Sequence, residues 1–142
     1  DSHEFLLRRV LTSASNATMA PATGTTAFVM GDDSIVIIDA EVLMIDVASD
    51  EFRRVRVQSA VKRDTGAASA AIVGGKTNTA TQLTELDKSG SLSPSAGTWE
   101  AQIFASAGSG GFSISARGAS GRTIQALARV KVLYIAQGAA SV

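Results

Sequence analysis

The chain has 142 residues, 13 basic and 13 acidic side chains, a single His (His3) and no Cys. This length is typical of one domain that can bury a core, and the lack of Cys excludes a disulfide scaffold, a Cys-ligated zinc site and a thiol nucleophile. Zero formal net charge argues against general electrostatic capture of nucleic acid or of an anionic membrane, so we expect neither as a partner. No stretch reaches the ~20 apolar residues that cross a bilayer.

The first 26 residues are predicted to form an N-terminal strand and an extended arm. Residues 11–26 (LTSASNATMAPATGTT) are small and polar without a clear period, which is typical of an extended arm or covering loop and equally of a strand pair. An extended arm of this kind can pack on a neighbouring subunit. We expect the β-sandwich domain to span residues 27–137. Residues 138–142 are expected to form a C-terminal tail.

Alternation with a period of two dominates the rest of the chain. Val55–Val61 (VRVQSAV) places its valines on one face and polar side chains on the other, which is the pattern of a half-buried strand. Phe112–Arg117 and Ile124–Tyr134 alternate in the same way, and Val42–Val47 is apolar on both sides for part of its length. The β-branched residues in these runs favour strands over helices.

Gly-rich and polar segments separate these runs and predict turns. They are Gly31–Ser34, Arg63–Gly66, Ser89–Gly97, Gly108–Gly111 and Gly118–Gly121, and we expect the last two to be hairpin turns. About eight or nine short strands at this spacing are typical of an all-β fold, either an antiparallel β-sandwich or a jelly-roll-like barrel. Ala, Gly, Ser and Thr supply 66 of the 142 residues, and such small side chains allow close packing of sheets.

Acidic and basic residues are separated along the chain, although their charges sum to zero. Between Val10 and Phe52 there are seven acids and no Lys or Arg, and five basic residues follow from Arg53 to Arg63. Three interpretations stay open: a calcium site built from loop carboxylates, a subunit contact, or pairing of an acidic strand with an adjacent basic strand. The spacing of the acids matches no compact calcium loop.

No residue is predicted to be catalytic, to bind a cofactor or to ligate a metal. His3 is the single imidazole and lies beside the terminus, so a nucleophilic Ser lacks the usual base. A Ser-Lys pair stays open, although nothing in the sequence points to one. Trp99 and Tyr134 are candidate ligand-stacking residues, because aromatic rings stack on sugars and bases, and each is also typical of a core position.

Part of the chain resembles the virion structural proteins of tailed bacteriophages. In those proteins a strand ending in Val-Lys-Arg is followed by a Gly-containing turn and a strand ending in Val-Gly, and a strand–Gly–strand unit closes the module. The resemblance spans Phe52 to Ile135. The residues that carry it are Arg56–Gly74 (RVQSAVKRDTGAASAAIVG), Trp99–Ile103 (WEAQI), Phe112–Gly118 (FSISARG) and Arg129–Val132 (RVKV).

The resemblance implies a non-enzymatic β-sandwich module of tail, tail-fibre or capsid-decoration type, located in the virion. Such modules are expected to form a symmetric homo-oligomer, a trimer or a ring, and to contact other virion proteins. One alternative is a carbohydrate- or receptor-binding module, and another is a small hydrolase; no cofactor is expected. The candidate subunit contact consists of Asp46, Asp50, Glu51, Arg53, Arg54, Arg56, Leu127, Leu133 and Ile135.

Overall fold

The computed structural model describes residues 2–21, 28–64, 69–90, 99–106 and 110–136. Over these ranges the chain forms ten strands and one single-turn helix. Three of the strands have 13 residues each, beyond the roughly 3–10 residues usual in globular proteins. The elements are β1 (Ser2–Leu11), β2 (Ala17–Thr18), β3 (Phe28–Val29), β4 (Ser34–Asp46), β5 (Glu51–Arg63), β6 (Ala70–Val73), α1 (Thr79–Gln82), β7 (Leu83–Lys88), β8 (Glu100–Ala105), β9 (Gly111–Arg117) and β10 (Ile124–Ala136).

The strands form two antiparallel sheets. In the large sheet the order is β1-β10-β4-β5, and β6 and β7 pair with different parts of the far side of β5. In the small sheet β9 lies between β8 on one side and the short strands β2 and β3 on the other. The segment from Gly118 to Thr123 therefore carries the chain from the small sheet to the large one.

One hydrophobic core lies between the two sheets. The large sheet contributes alternate residues of its long strands, such as Ile38, Val42 and Val130, and the small sheet contributes Ile103 and Ile114; all five are fully buried. Because successive side chains of a strand point to opposite faces, burial of this set directs the alternate set of the large sheet away from the core.

A buried glutamine ties the helix to the small sheet. Gln82 closes α1, its side-chain amide donates to the carbonyl of Ile103 at 3.0 Å, and its side-chain oxygen accepts from the Ile103 N–H at 2.7 Å. The side chain thus pairs with β8 as a neighbouring strand would, and it satisfies backbone groups that burial would otherwise leave unpaired. Asn78 caps the start of α1 by accepting from the Thr81 N–H at 3.1 Å.

The predicted all-β sandwich is confirmed, with ten strands in place of the eight or nine expected. The central strands are longer than predicted because Ile35–Ile38 and Val42–Val47 join through Asp39, Ala40 and Glu41 into the continuous β4. At the N-terminus, β1 pairs with β10 along its whole length, so this strand is part of the large sheet. In the predicted arm, the described residues 17–20 contact β9 and β1 of their own chain.

Two predicted turns can be compared in full with the structure. Gly118–Gly121 is not a hairpin turn, because the strands on either side of it belong to different sheets. The turn at Gly31–Ser34 is present: the Ser34 hydroxyl donates to the Gly31 carbonyl at 2.5 Å, and Asp33 has a φ of 54°, which Asp adopts more readily than most residues. The predicted turns at 63–66, 89–97 and 108–111 lie partly outside the described residues.

We expect Gly111→Ala to destabilise the fold by about 3 kcal/mol. A Cβ at this position would lie 1.6 Å from the backbone oxygen of Phe28, at the point where β9 pairs with β3. Urea unfolding followed by circular dichroism measures the change. Gly75→Ala is the matched control, because nothing lies within 4 Å of a Cβ there, and its stability should be unchanged or slightly raised. Equal stabilities of the two variants would contradict the close approach of β3 to β9.

Candidate functional site

The candidate site is the face of the large sheet that points away from the core, which we call the outer face. It consists of the odd-numbered side chains of β4 (35–45) and β10 (125–135) and the even-numbered side chains of β1 (2–10) and β5 (52–62). Because these four strands are in continuous antiparallel register, the side chains form straight rows across the sheet, and members of one row contact each other.

Exposed apolar side chains are concentrated on this outer face. Among the described residues nine large hydrophobic side chains are exposed, and eight of them lie on the outer face or at its margin. The ninth is Val29, on the short strand β3. Clustered exposed apolar surface of this kind marks a binding surface, whereas scattered residues do not. The eight are Leu6, Val10, Ile37, Val47, Leu86, Leu127, Leu133 and Ile135, with exposed fractions from 38% to 62%.

The apolar side chains form two patches at opposite ends of the strands. In both patches the register brings a residue of β10 beside one of β4: Leu127 pairs with Leu43, and Leu133 pairs with Ile37. The Leu127 patch lies near the β4–β5 turn and borders a groove of about 590 Å³; it contains Val10, Leu43, Ile45, Val47 and Leu127. The Leu133 patch lies at the far end and contains Ile35, Ile37, Leu133 and Ile135.

A band of charged side chains crosses the outer face between the two patches, and we call it the charged belt. Asp39 accepts two hydrogen bonds from the Arg56 guanidinium, at 2.8 and 2.5 Å. The Glu41 carboxylate lies 3.2 Å from the Arg129 guanidinium and 3.6 Å from that of Arg54. The structure therefore shows acidic residues of β4 paired with basic residues of adjacent strands. The belt consists of Asp39, Glu41, Arg54, Arg56, Arg129 and Lys131.

The apolar patches carry more binding energy than the charged belt. Partly exposed ion pairs contribute about 0.2–1 kcal/mol each. Complete burial of a Leu or Ile side chain is worth about 1.5–3 kcal/mol, so covering one that is half exposed gains on the order of 1 kcal/mol. The patches thus favour contact with another apolar surface, and the belt restricts which surface can make that contact.

The ion pair between Asp39 and Arg56 holds both of these side chains in their charged forms near neutral pH. The hydrogen bonds from Arg56 lower the pKa of the Asp39 carboxyl below its ordinary value; partial burial opposes this shift, while the charge of Arg56, a hydrogen bond from Gln58 and the charge of Lys131 reinforce it. The same pair raises the pKa of Arg56. A partner of the outer face therefore meets ionised groups of both signs.

Five of the nine residues predicted as a subunit contact lie on the outer face. Two of the five belong to the charged belt, and three belong to the apolar patches. All five have their side chains at least partly accessible for contact with another molecule. They are Arg54, Arg56, Leu127, Leu133 and Ile135.

The other four predicted contact residues lie at the end of the sandwich around the β4–β5 turn. Asp46 is buried, and its carboxylate lies 3.5 Å from the Arg122 guanidinium. The same guanidinium donates to Glu51 at 2.7 Å, and Arg53 donates to Glu85 at 3.0 Å, whereas Asp50 lies in the turn itself with a φ of 57°. Asp46, Glu51 and Arg53 thus each form an ion pair within the chain.

The two candidate stacking residues have different environments. Trp99 is 1% exposed, the Arg122 guanidinium lies 5.8 Å from its ring centre, and Arg53 donates to its carbonyl at 2.6 Å. This burial favours the core position over ligand stacking, because a sugar cannot reach the indole. The half-buried Tyr134 accepts a hydrogen bond from the Gly31 N–H at 3.2 Å and borders an apolar cavity of about 450 Å³ that Phe5, Phe28 and Phe112 also line.

The acidic segment does not form a metal site within the described ranges, where no three His, Asp or Glu side chains are grouped closely enough to hold an ion. In the same ranges no helix has the length and apolar character needed to cross a membrane.

Sequence reasoning missed much of the outer face, including Leu6, Val10, Ile37 and Leu43. A signal was present in Val42–Val47, where both sets of alternate residues are apolar. Such a run indicates a strand with apolar surface on both sides. The sequence does not show that the second side is exposed, because this depends on how many layers cover the sheet.

Comparison with known proteins finds little similarity. No protein-family model matches the chain, and no curated protein matches it. Among solved structures, the chain is similar to the tailspike protein of Acinetobacter baumannii phage AM24, with a TM-score of 0.43 and 12% sequence identity. The alignment covers 99% of this chain and 27% of the tailspike chain, so the chain spans about a quarter of that protein's length.

We expect Arg56→Gln to raise the pKa of Asp39 toward its ordinary value of 3.8. In the wild type the folded-state pKa lies below the unfolded-state pKa, so ionised Asp39 stabilises the fold at pH values above about 4. This contribution is lost as the pH falls through the folded-state pKa. Arg56→Gln should therefore lose less stability on acidification than the wild type does.

Carbon-detected NMR of the carboxyl groups measures the pKa of Asp39, and urea unfolding at several pH values measures the linked stability. Arg54→Gln is the control, because Arg54 pairs with Glu41 and its loss leaves the hydrogen bonds between Arg56 and Asp39 in place. An unchanged Asp39 pKa in Arg56→Gln would refute the pairing.

Proposed function

We propose that the chain is a non-enzymatic structural module of a phage virion and that it assembles as a homo-oligomer through the outer face of its large sheet. Two independent observations support the proposal. The residues between Phe52 and Ile135 resemble tailed-phage virion proteins, and the outer face and its margin carry eight of the nine exposed large hydrophobic side chains of the described residues.

The apolar outer face is the observation that carries the proposal. A stable protein interface combines a broad area of apolar contact with polar groups that fix orientation. Both apolar patches and the charged belt lie on four long strands that share one register. Assembly requires no reacting group, and the shifted pKa values of Asp39 and Arg56 arise from their mutual ion pair.

A carbohydrate-binding role is supported less well by the structure. Its most direct form needs an exposed Trp99, and this side chain is in the core. Tyr134 alone offers half a ring beside a cavity lined mainly by apolar side chains, with His3 and Glu4 as its other polar side chains, so sugar hydroxyl groups would meet few hydrogen-bonding partners.

We expect the purified chain to sediment as an oligomer of the 14.5 kDa protomer at micromolar concentration. Analytical ultracentrifugation over a hundredfold range of protein concentration measures the mass and the association constant. A monomer throughout this range would contradict the assembly proposal. Antibody labelling of phage particles that carry the gene, viewed by electron microscopy, tests the location, and unlabelled particles would contradict a place in the virion.

A further inference from the structure

We propose that the outer face binds the outer face of a second copy of this chain, about a two-fold axis that runs parallel to the strands between β4 and β10. The inference rests on the proposed function, since it specifies the contact by which the chain would assemble. It goes further by fixing the partner, the symmetry and the residue pairs that meet.

The register of the two central strands supplies the starting point. On the outer face, each odd-numbered residue of β10 has one neighbour on β4, and the two lie on opposite sides of the line between the strands. On the two central strands, the basic members of the charged belt, Arg129 and Lys131, lie on β10, and its acidic members, Glu41 and Asp39, lie on β4. The six neighbouring pairs are Gln125 with Ile45, Leu127 with Leu43, Arg129 with Glu41, Lys131 with Asp39, Leu133 with Ile37, and Ile135 with Ile35.

Two orientations of a face-to-face dimer must be compared, because a two-fold axis within the interface can run across the strands or along them. An axis across the strands places each strand over its own copy. Lys131 would then face Arg129 of the partner subunit, and Asp39 would face Glu41 of the partner subunit. Like charges would meet throughout the charged belt, which costs several kcal/mol in an interface and excludes this orientation.

An axis along the strands places β10 over β4 of the partner subunit. Arg129 then faces Glu41 of the partner subunit, and Lys131 faces Asp39 of the partner subunit, so opposite charges meet at the centre. The apolar rows meet as well, since Leu127 faces Leu43 of the partner subunit and Leu133 faces Ile37 of the partner subunit. The face is therefore self-complementary about this axis in both charge and hydrophobicity.

The dimensions of the outer face also fit a second copy. Strands of 13 residues at about 3.3 Å per residue are about 40 Å long, and four strands at about 4.8 Å spacing are about 19 Å wide. The product, about 800 Å², equals the area that each partner contributes to a standard stable interface. Sheets with the usual twist pack face to face at about 30°, so contacts are closest along the axis and open toward the corners.

The basic residues of the flanking strands lie at the rim of this contact. About this axis Arg8 on β1 faces Arg54 of the partner subunit, because both lie in the row of Leu127 and Leu43, but the pair is at the edge of the contact, where solvent ions screen charges. Arg56 is already hydrogen-bonded to Asp39 of its own chain. The net positive charge of these four strands therefore lies mainly at the rim, where repulsion between the two copies is weakest.

A charge-complementation experiment tests the proposed axis. One variant carries Asp39→Lys and Glu41→Lys, which makes the belt uniformly positive, and the other carries Arg129→Glu and Lys131→Glu, which makes the central rows uniformly negative. Each variant alone should associate roughly 100-fold more weakly than the wild type, because like charges then meet across the axis. An equimolar mixture should recover a one-to-one heterodimer in analytical ultracentrifugation and native mass spectrometry.

The same measurements separate failure of this contact from failure of the proposed function. A monomeric wild type would overturn both. An oligomeric wild type whose charge variants keep its association constant, or whose mixture forms no heterodimer, would overturn the proposed axis while leaving assembly intact. A two-fold contact also predicts even-numbered assemblies, so a wild-type trimer would overturn it.

Apolar variants provide a second test that leaves the charged belt unchanged. Val10→Glu and Leu133→Glu place a charge in the two patches and should weaken association, whereas Val29→Glu, at a Val that is also exposed but lies outside the outer face, should not. Thermal unfolding by circular dichroism confirms that each variant is folded before its mass is interpreted. Equal association of Val10→Glu and Val29→Glu would overturn the role of the outer face.

Discussion

The continuous antiparallel pairing of β1, β10, β4 and β5 is the constraint on which the rest of the structure depends. β10 and β4 are paired over 13 consecutive residues, from Ile124 with Asp46 to Ala136 with Ser34. A shift of this register by one residue would exchange the two faces of a strand. It would place Asp39 and Glu41 in the core and bring Ile38 and Val42 to the surface, so the core itself holds the register in place.

The same register distributes the surface chemistry. Because β4 carries acids at Asp39 and Glu41 and its neighbours carry bases in the same or the adjacent rows, both acids of the belt are paired within one chain. Above and below the belt the rows are apolar on both central strands, except at Gln125 beside Ile45. The surface pattern is thus a consequence of the pairing that builds the fold, and no additional element is needed to organise it.

Much of the fold could be predicted from the sequence, because it follows from local alternation. Val55–Val61 and Phe112–Arg117 show one apolar face and one polar face, and both are strands whose apolar face is buried; Ser115, on the polar face of β9, is buried as well. The division of the strands into two sheets is harder to predict from the sequence. Gly118–Gly121 has the composition of a hairpin turn, yet it joins strands of different sheets. The residues of a turn do not determine with which strand the next strand pairs.

The candidate site could be predicted only in part for a related reason. Leu127, Leu133 and Ile135 were identified because they alternate with buried residues of the same strand. Val10 and Ile37 were not, because their membership of the outer face depends on pairing with β10, which is more than 80 residues away in the sequence. Likewise, the acidic run gave no sign that Asp46 would turn inward toward Arg122 while Asp39 faced outward; strand parity separates them only once the strand is known to be continuous.

A broad apolar sheet face without charges would be prone to non-specific association, since it could pack against any similar face in many orientations. The charged belt removes most of these orientations, because covering its partly exposed ion pairs with an apolar surface would remove their charges from water without adding a partner. The belt adds little affinity, because its members are already paired within the chain and each pair is partly exposed. In the proposed dimer these magnitudes assign different roles: the Leu127 and Leu133 patches would supply most of the free energy of contact, and the belt would select the orientation in which the two faces meet.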